Sequence, residues 1–187
     1  MSVKRKNRFT IAVSGYPGAG SSTISKLLAK KLKYRYFSPG EYFKKIFGGK
    51  TSASALKGLK LKRGREKNLH FKIDEMQKRI ARKKCAVICG KLSVFILKDL
   101  ADFKIWIKAH RNVRAKRTAE RDGIPYSKAL KILRKREEIE KKLFKKIYNI
   151  DYEKLPLLAD FILNNNKLTP EEAVETILKK IIPSRHR

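Results

Sequence analysis

Apolar positions along the chain change period several times, and each change marks an element. Phe9 to Ser14 is a short apolar run that reads as a first strand. From about Ser22 to Lys33, Ile24, Leu27, Leu28 and Leu32 recur at helical spacing. Tyr34 to Phe37 reads as a second strand, Ser38-Pro39-Gly40 as a turn, and Glu41 to Phe47 as a helix. Helical periodicity returns from Leu69 to Lys83 with Phe71, Ile73, Met76, Ile80 and Ala81. Cys85 to Cys89 is a buried strand, and Phe103 to Lys108 alternates and is rich in β-formers. Helices follow over Arg111 to Arg121 and Ser127 to Ile147, separated by the turn Asp122-Gly123-Ile124-Pro125. A last strand spans Asp160 to Asn164. Thr169-Pro170-Glu171-Glu172 supplies an N-cap, a proline at the first helical position and first-turn acids for a helix to about Ile182. No internal repeat occurs. Strands alternating with helices predict an α/β protein, one parallel sheet with helices on both faces.

Gly48 to Asn68 breaks this pattern. It is rich in Gly, Ser, Lys and Arg with weak periodicity, as in Lys57-Gly58-Leu59-Lys60-Leu61-Lys62-Arg63-Gly64-Arg65. It is expected to be a long, mobile, basic insert.

The chemistry concentrates between the first strand and the first helix, in Gly15-Tyr16-Pro17-Gly18-Ala19-Gly20-Ser21-Ser22-Thr23. Glycines at this spacing let a backbone wrap around phosphate oxygens with its N–H groups inward, and the following helix start adds its positive dipole end. The spacing fits the P-loop pattern G-x-x-x-x-G-K-[ST] with one departure: Ser21 stands where the lysine is expected. Ser22 occupies the hydroxyl position that reaches Mg²⁺. In an open parallel sheet such a loop lies at the carboxyl end of its strand, where ligands bind.

Composition changes the picture in one respect. The 187 residues suit a single domain, and 42% hydrophobic residues exclude a wholly disordered chain. The charge is extreme: 48 Lys and Arg against 17 Asp and Glu give a formal net charge of +31. Such a field favours polyanions, either nucleic acid or an anionic membrane surface. Cys85 and Cys89 are the only cysteines. They are too far apart on one strand for a disulfide and no metal set forms around them, so they read as buried thiols of a reducing, cytoplasmic setting. No apolar run approaches the length of a membrane span.

Several segments, taken in order, resemble the archaeal-type cytidylate kinases among the nucleoside monophosphate kinases. These are Ile11 to Thr23, Lys104-Ile105-Trp106-Ile107-Lys108-Ala109, Val113 to Arg121, Arg136-Glu137-Glu138 and Ile147-Tyr148-Asn149-Ile150-Asp151. The resemblance covers nearly the whole chain, and archaeal members often carry threonine at the loop-lysine position. It implies a P-loop NTPase-type fold with a small lid at about residues 111–136 and a monophosphate-binding segment. It also implies a reaction in which ATP, with Mg²⁺, phosphorylates a nucleoside monophosphate, CMP or dCMP. Gly15 to Thr23 would hold the ATP phosphates and Ser22 would approach the metal. Arg117, Arg121 and Arg136 would act on phosphates from the lid, where guanidinium forks grip oxygens bidentately. Asp74 and Lys91 would face the acceptor.

On the acceptor side the sequence departs from that family. Its Ile-Asp-Arg-Arg-Gln helix pattern reads Ile73-Asp74-Glu75-Met76-Gln77. Its Glu-Gly-Arg turn reads Cys89-Gly90-Lys91, and its Arg-Tyr pair reads Leu143-Phe144. The usually acidic segment is replaced by Gly48 to Asn68. A working kinase, expected to be a monomer, is one reading. The other is a degenerate kinase fold that binds RNA or the ribosome through Lys60, Lys62, Arg63 and Arg65, the arm Lys4-Arg8 and the tail Ser184-Arg185-His186-Arg187.

Overall fold

The computed structural model of the chain describes residues 8–181. Five parallel strands form one sheet in the order β2-β3-β1-β4-β5. They are β1 (Thr10–Gly15), β2 (Arg35–Phe37), β3 (Ala86–Cys89), β4 (Phe103–Lys108) and β5 (Phe161–Asn164). Every residue of β1 is buried, as a central strand covered on both faces requires. Register places Val13 beside Cys89 on one side and Gly15 beside Ile107 on the other. All strands therefore point their carboxyl ends at the same edge.

The helices are α1 (Ser21–Leu32), α2 (Pro39–Ile46), α3 (Ser52–Lys60), α4 (Lys67–Arg82), α5 (Ser93–Ile96), α6 (Arg111–Asp122), α7 (Tyr126–Tyr148) and α8 (Pro170–Ile181). Their starts follow local chemistry. The Ser38 hydroxyl accepts from Glu41 N at 3.2 Å with Pro39 at the first helical position. Thr169 and Glu172 form a reciprocal capping box at 2.8 and 3.2 Å. One core, with Ile11, Val13, Leu28, Ile105 and Ile177 fully buried or nearly so, packs α1 and α8 on one face of the sheet. On the other face Trp106, Tyr152 and Leu155 form a second cluster.

Two expectations are corrected. The stretch Gly48 to Asn68 is folded. Thr51 caps α3 by accepting from Ser54 N at 3.2 Å, and Ala55 and Leu59, one helical turn apart, are each 4% exposed. Its glycines are close-packing positions rather than loop breakers. A Cβ on Gly58 would meet the Phe47 and Phe43 rings at 2.7 and 2.8 Å, and one on Gly64 would run into the Gly58 carbonyl oxygen. The basic residues Lys57, Lys60, Lys62, Arg63 and Arg65 all face solvent. Second, the two cysteines do not lie on one strand and are not both buried. Cys85 precedes β3 with φ +52° and is half-buried, while Cys89 is buried. The short α5 and the 3₁₀ turns at Arg63–Arg65 and Tyr152–Leu158 carry no periodicity long enough to read from sequence. Apart from the exposed Arg8, the basic arm and tail lie outside the described residues.

Candidate active site

The site forms where β1 and β3 end. Beyond Gly15 the chain makes a turn closed by Ala19 N donating to Tyr16 O at 3.1 Å, then enters α1. Gly18 and Gly20 hold φ of +79° and +93°, the left-handed region that favours glycine. A Cβ on Gly18 would fall 2.7 Å from Arg114 O, and one on Gly20 would fall 2.7 Å from Asn165 Nδ2. Gly20 is the N-cap of α1 and brings no side chain to the first-turn N–H groups of Ser21, Ser22 and Thr23. Those donors, the helix dipole and a glycine turn make a cradle for an anion.

The loop is braced from outside by Arg114, which is 4% exposed. Its Nη1 donates to Pro17 O at 2.9 Å and to Glu137, its Nε donates to Ala109 O at 3.1 Å, and its guanidinium lies 5.2 Å from the Tyr16 ring centroid. Tyr16 packs edge-on against Trp106 and Tyr152. Sequence reasoning passed over Arg114 although it lies within the matched segment Val113 to Arg121.

A cleft joins this loop to the acceptor side. It is lined by Gly15 to Gly18, Ser21 and Ser22, and across from them by Lys44, Ser52, Asp74, Gln77, Lys91, Arg121 and Arg136. The three expected arginines divide. Arg121 and Arg136 face the cleft. Arg121 Nη2 donates to Ser52 Oγ at 2.6 Å and its Nε to Asp122 at 2.8 Å. Arg136 Nη2 donates to Glu140 Oε1 at 3.0 Å, while its buried Nε has no partner. Arg117 instead sits at the outer edge of the loop, donating to Asn165 O at 2.8 Å, and Asn165 Nδ2 donates to Ala19 O at 2.8 Å. Ser52 N also donates to Asp122 at 2.9 Å, so the start of α3 is tied to the α6–α7 junction.

Asp74 is 8% exposed. Tyr148 donates to it at 2.6 Å and Gln77 at 3.0 Å, and Ser93 Oγ donates to Gln77 at 2.8 Å. Burial raises the Asp74 carboxyl above its usual range, and the Tyr148, Lys78 and Gln77 contacts pull it partly back. Lys91, in the turn after β3, places its Nζ 3.6 Å from Glu140 Oε2 and 3.5 Å from Gly15 O. Burial lowers it to about 7, with Arg136 and Arg114 adding to the shift against the pull of Glu140. Lys44 is likewise lowered by burial and by the facing Arg121 and Arg136. The acceptor wall is completed by Phe43, Ala55, Leu59, His70, Phe144 and Tyr148. Lys60, Lys62, Arg63 and Arg65 take no part in the cleft.

Comparisons with known proteins give the family and the fold. The model of the cytidylate kinase-like family matches residues 10–167. The chain is 35% identical over 170 residues to a cytidylate kinase of Sulfurisphaera tokodaii, covering 89% of this chain and 92% of that one. It is 33% identical over 172 residues to a cytidylate kinase of Ignicoccus hospitalis, covering 92% and 98%. It is 35% identical over 177 residues to that of Archaeoglobus fulgidus, covering 91% and 93%. Among solved structures, an uncharacterized protein from Eubacterium ventriosum superposes with a TM-score of 0.71 at 19% identity, over 93% of this chain and 98% of that one. Shikimate kinase from Acinetobacter baumannii in complex with shikimate gives 0.64 at 16% identity, over 97% of each. At that identity the structural likeness speaks for the fold.

Proposed function

The chain belongs to the cytidylate kinase-like family, and from that premise we infer that it transfers the γ-phosphoryl group of ATP to CMP or dCMP, giving ADP and the diphosphate. One observation carries the reading beyond homology: an anion cradle and a hydrogen-bonding acceptor wall face each other across a single cleft, with Lys91, Arg121 and Arg136 at the cleft. Phosphoryl transfer asks a protein for little covalent chemistry. It asks for in-line positioning and for positive charge where the equatorial oxygens develop theirs. Gly18, Gly20 and the α1 N–H groups serve to bind the ATP phosphates; Arg121 and Arg136 serve to hold the oxygens passed between the nucleotides. Phe43, Phe144 and Tyr148 serve to keep water from a reactive phosphoryl group. Asp74 and Gln77 offer hydrogen-bond partners for a base, and a cytosine amine is a donor that a carboxylate accepts.

Mg²⁺ fits this set. Among the described residues no group of three or more His, Cys, Asp or Glu side chains could hold a metal by itself. The Ser22 hydroxyl would instead join phosphate oxygens around the ion, the usual pattern for a cation that keeps few protein ligands. When bound, it neutralises charge on those oxygens.

The test is ADP formation from ATP with CMP, dCMP, UMP and AMP in turn, on nuclease-treated protein. Turnover is expected with CMP and dCMP; turnover of no monophosphate would overturn the reading. A contact with RNA is a second reading of the surface, favoured by the solvent-facing Lys57, Lys60, Lys62, Arg63 and Arg65. No described helix is long and apolar enough to cross a membrane.

A further inference from the structure

The loop lacks its lysine, and the cleft contains another. Lys91 reaches in from the turn after β3, its side chain 19% exposed, with Nζ 3.5 Å from the carbonyl of Gly15, the first residue of the loop. We propose that Lys91 takes the place of the absent loop lysine, its ammonium stabilising the phosphoryl group as it passes from ATP to the monophosphate. The proposal rests on the kinase reading of this cleft. In the step, the bond between the γ-phosphorus and the β,γ-bridging oxygen breaks, and a bond forms from that phosphorus to an acceptor phosphate oxygen. ADP leaves with the electron pair, and Lys91 gives up no proton.

Three observations carry the assignment. First, Lys91 is fixed relative to the loop by the scaffold. Gly90 N donates to Val13 O at 3.0 Å, which extends the β1–β3 ladder to the turn. The Ser14 hydroxyl, one residue before the loop, donates to Gly90 O at 2.7 Å and accepts from Val94 N at 3.1 Å. A cation borne on the end of the neighbouring strand is thus held as firmly as one on the loop itself. Second, the alternative position is vacant of charge: Ser21 lines the same cleft with a short neutral side chain. Third, both carboxylates near Lys91 are already engaged by guanidiniums, Glu137 by Arg114 and Glu140 by Arg136. Glu140 and Glu137 of α7 face it, with Arg136 of the same helix and Arg114 of α6. Glu140 already accepts from Arg136 at 3.0 Å, and its other oxygen has no hydrogen bond. Both contacts of Lys91 are long for an ammonium, so a phosphate oxygen completes a set that is underbonded at rest.

Burial supports a second readout. An amine lowered to about 7 is mostly neutral at pH 8, and an arriving polyphosphate draws a proton onto it. Binding of Mg²⁺ and β,γ-imido-ATP, measured by calorimetry at pH 8 in buffers of different ionisation enthalpy, should take up most of a proton. Lys91→Ala should abolish that uptake. In turnover, Lys91→Ala should lower kcat by about 100- to 1,000-fold, the usual effect of removing one preorganised charge partner, with a smaller change in KM for ATP. Adding Ser21→Lys to Lys91→Ala should recover at least about tenfold of kcat, because it restores the ammonium from the other side. The proposal is overturned if Lys91→Ala raises only KM for CMP, or if Ser21→Lys recovers nothing in folded protein. Should Lys91→Ala not fold, Lys91→Met, which keeps the apolar stem and removes only the ammonium, carries the same comparisons. A parent that takes up the proton but turns over no monophosphate would leave the phosphate contact standing while the kinase reading falls.

Discussion

Replacing Glu137 by glutamine tests whether the loop is held by a buried charge. Arg114 and Glu137 form an ion pair whose side chains are 5% and 13% exposed, and the same guanidinium holds Pro17 O and Ala109 O. Breaking such a pair by neutralising one partner costs about 3–5 kcal/mol, because the other charge stays buried without its counterion. The residual exposure of Glu137, and its contact with the half-exposed Arg111 at 3.2 Å, argue for the lower end, about 3 kcal/mol. For a chain of this size that is a fall in Tm of about 6–12 °C. Glu138 is the control. It is the next residue on α7 and pairs with Lys135 and Lys142 at 3.0 and 3.2 Å, but it lies at the surface. Exposed pairs are screened and carry side-chain entropy against them, so Glu138→Gln should leave Tm unchanged within error. The hypothesis also has a functional arm: a guanidinium that lets go of Pro17 loosens the cradle, so Glu137→Gln should weaken ATP binding and Glu138→Gln should not. Scanning calorimetry with and without ATP measures both. Equal Tm for the two variants would refute the reasoning.

Three further predictions follow from geometry already described. Gly20→Ala forces a Cβ into a backbone at φ +93° and against Asn165, a strain of about 1–3 kcal/mol, and should weaken ATP binding at least about tenfold; unchanged affinity in folded protein would sink the cradle. Tyr148→Phe removes the 2.6 Å hydrogen bond to Asp74, worth about 1.5–3 kcal/mol when the acceptor is ionised. Because the folded Asp74 is raised above its unfolded value of 3.8, it weakens the fold as pH rises through its titration, and Tyr148→Phe raises it further. The variant's penalty should therefore be full at pH 7 and shrink once the carboxyl is protonated at low pH; equal penalties in urea unfolding at both would contradict the assignment. Changing Lys60, Lys62, Arg63 and Arg65 to glutamine should flatten the salt dependence of RNA binding by about one unit of log–log slope per lost phosphate contact. An unchanged slope would mean these residues are only solvated charge.

The central strand, the glycine loop and the helix after it were legible because their signals are local: an apolar run, glycines at fixed spacing, then a 3.6-residue period. Long amphipathic helices such as α4 and α7 were found to within a few residues for the same reason. What stayed hidden depends on distance in sequence. Beyond its place in the matched segment Val113 to Arg121, nothing sets Arg114 apart among 48 basic residues until the fold buries it beneath the loop. Ser52 looks like one more serine in a polar stretch, and only the meeting of α3 with α6 and α7 gives it partners. Gly58 and Gly64 read as breakers because a glycine that permits a turn and one that admits an aromatic ring are identical in sequence. The segment's apolar pair Ala55 and Leu59 is too short to outweigh the lysines around it.

The two-sided character of α3 bears on how such a protein could change over generations. Its inner face, with Ala55, Gly58 and Leu59, meets rings and the cleft; its outer positions Lys57 and Lys60 meet only water. Charges separated by more than about 8 Å of salty water barely feel each other. A lineage can therefore accumulate surface lysines one at a time without disturbing the phosphates held within, and selection on what the exterior meets can proceed independently of selection on turnover.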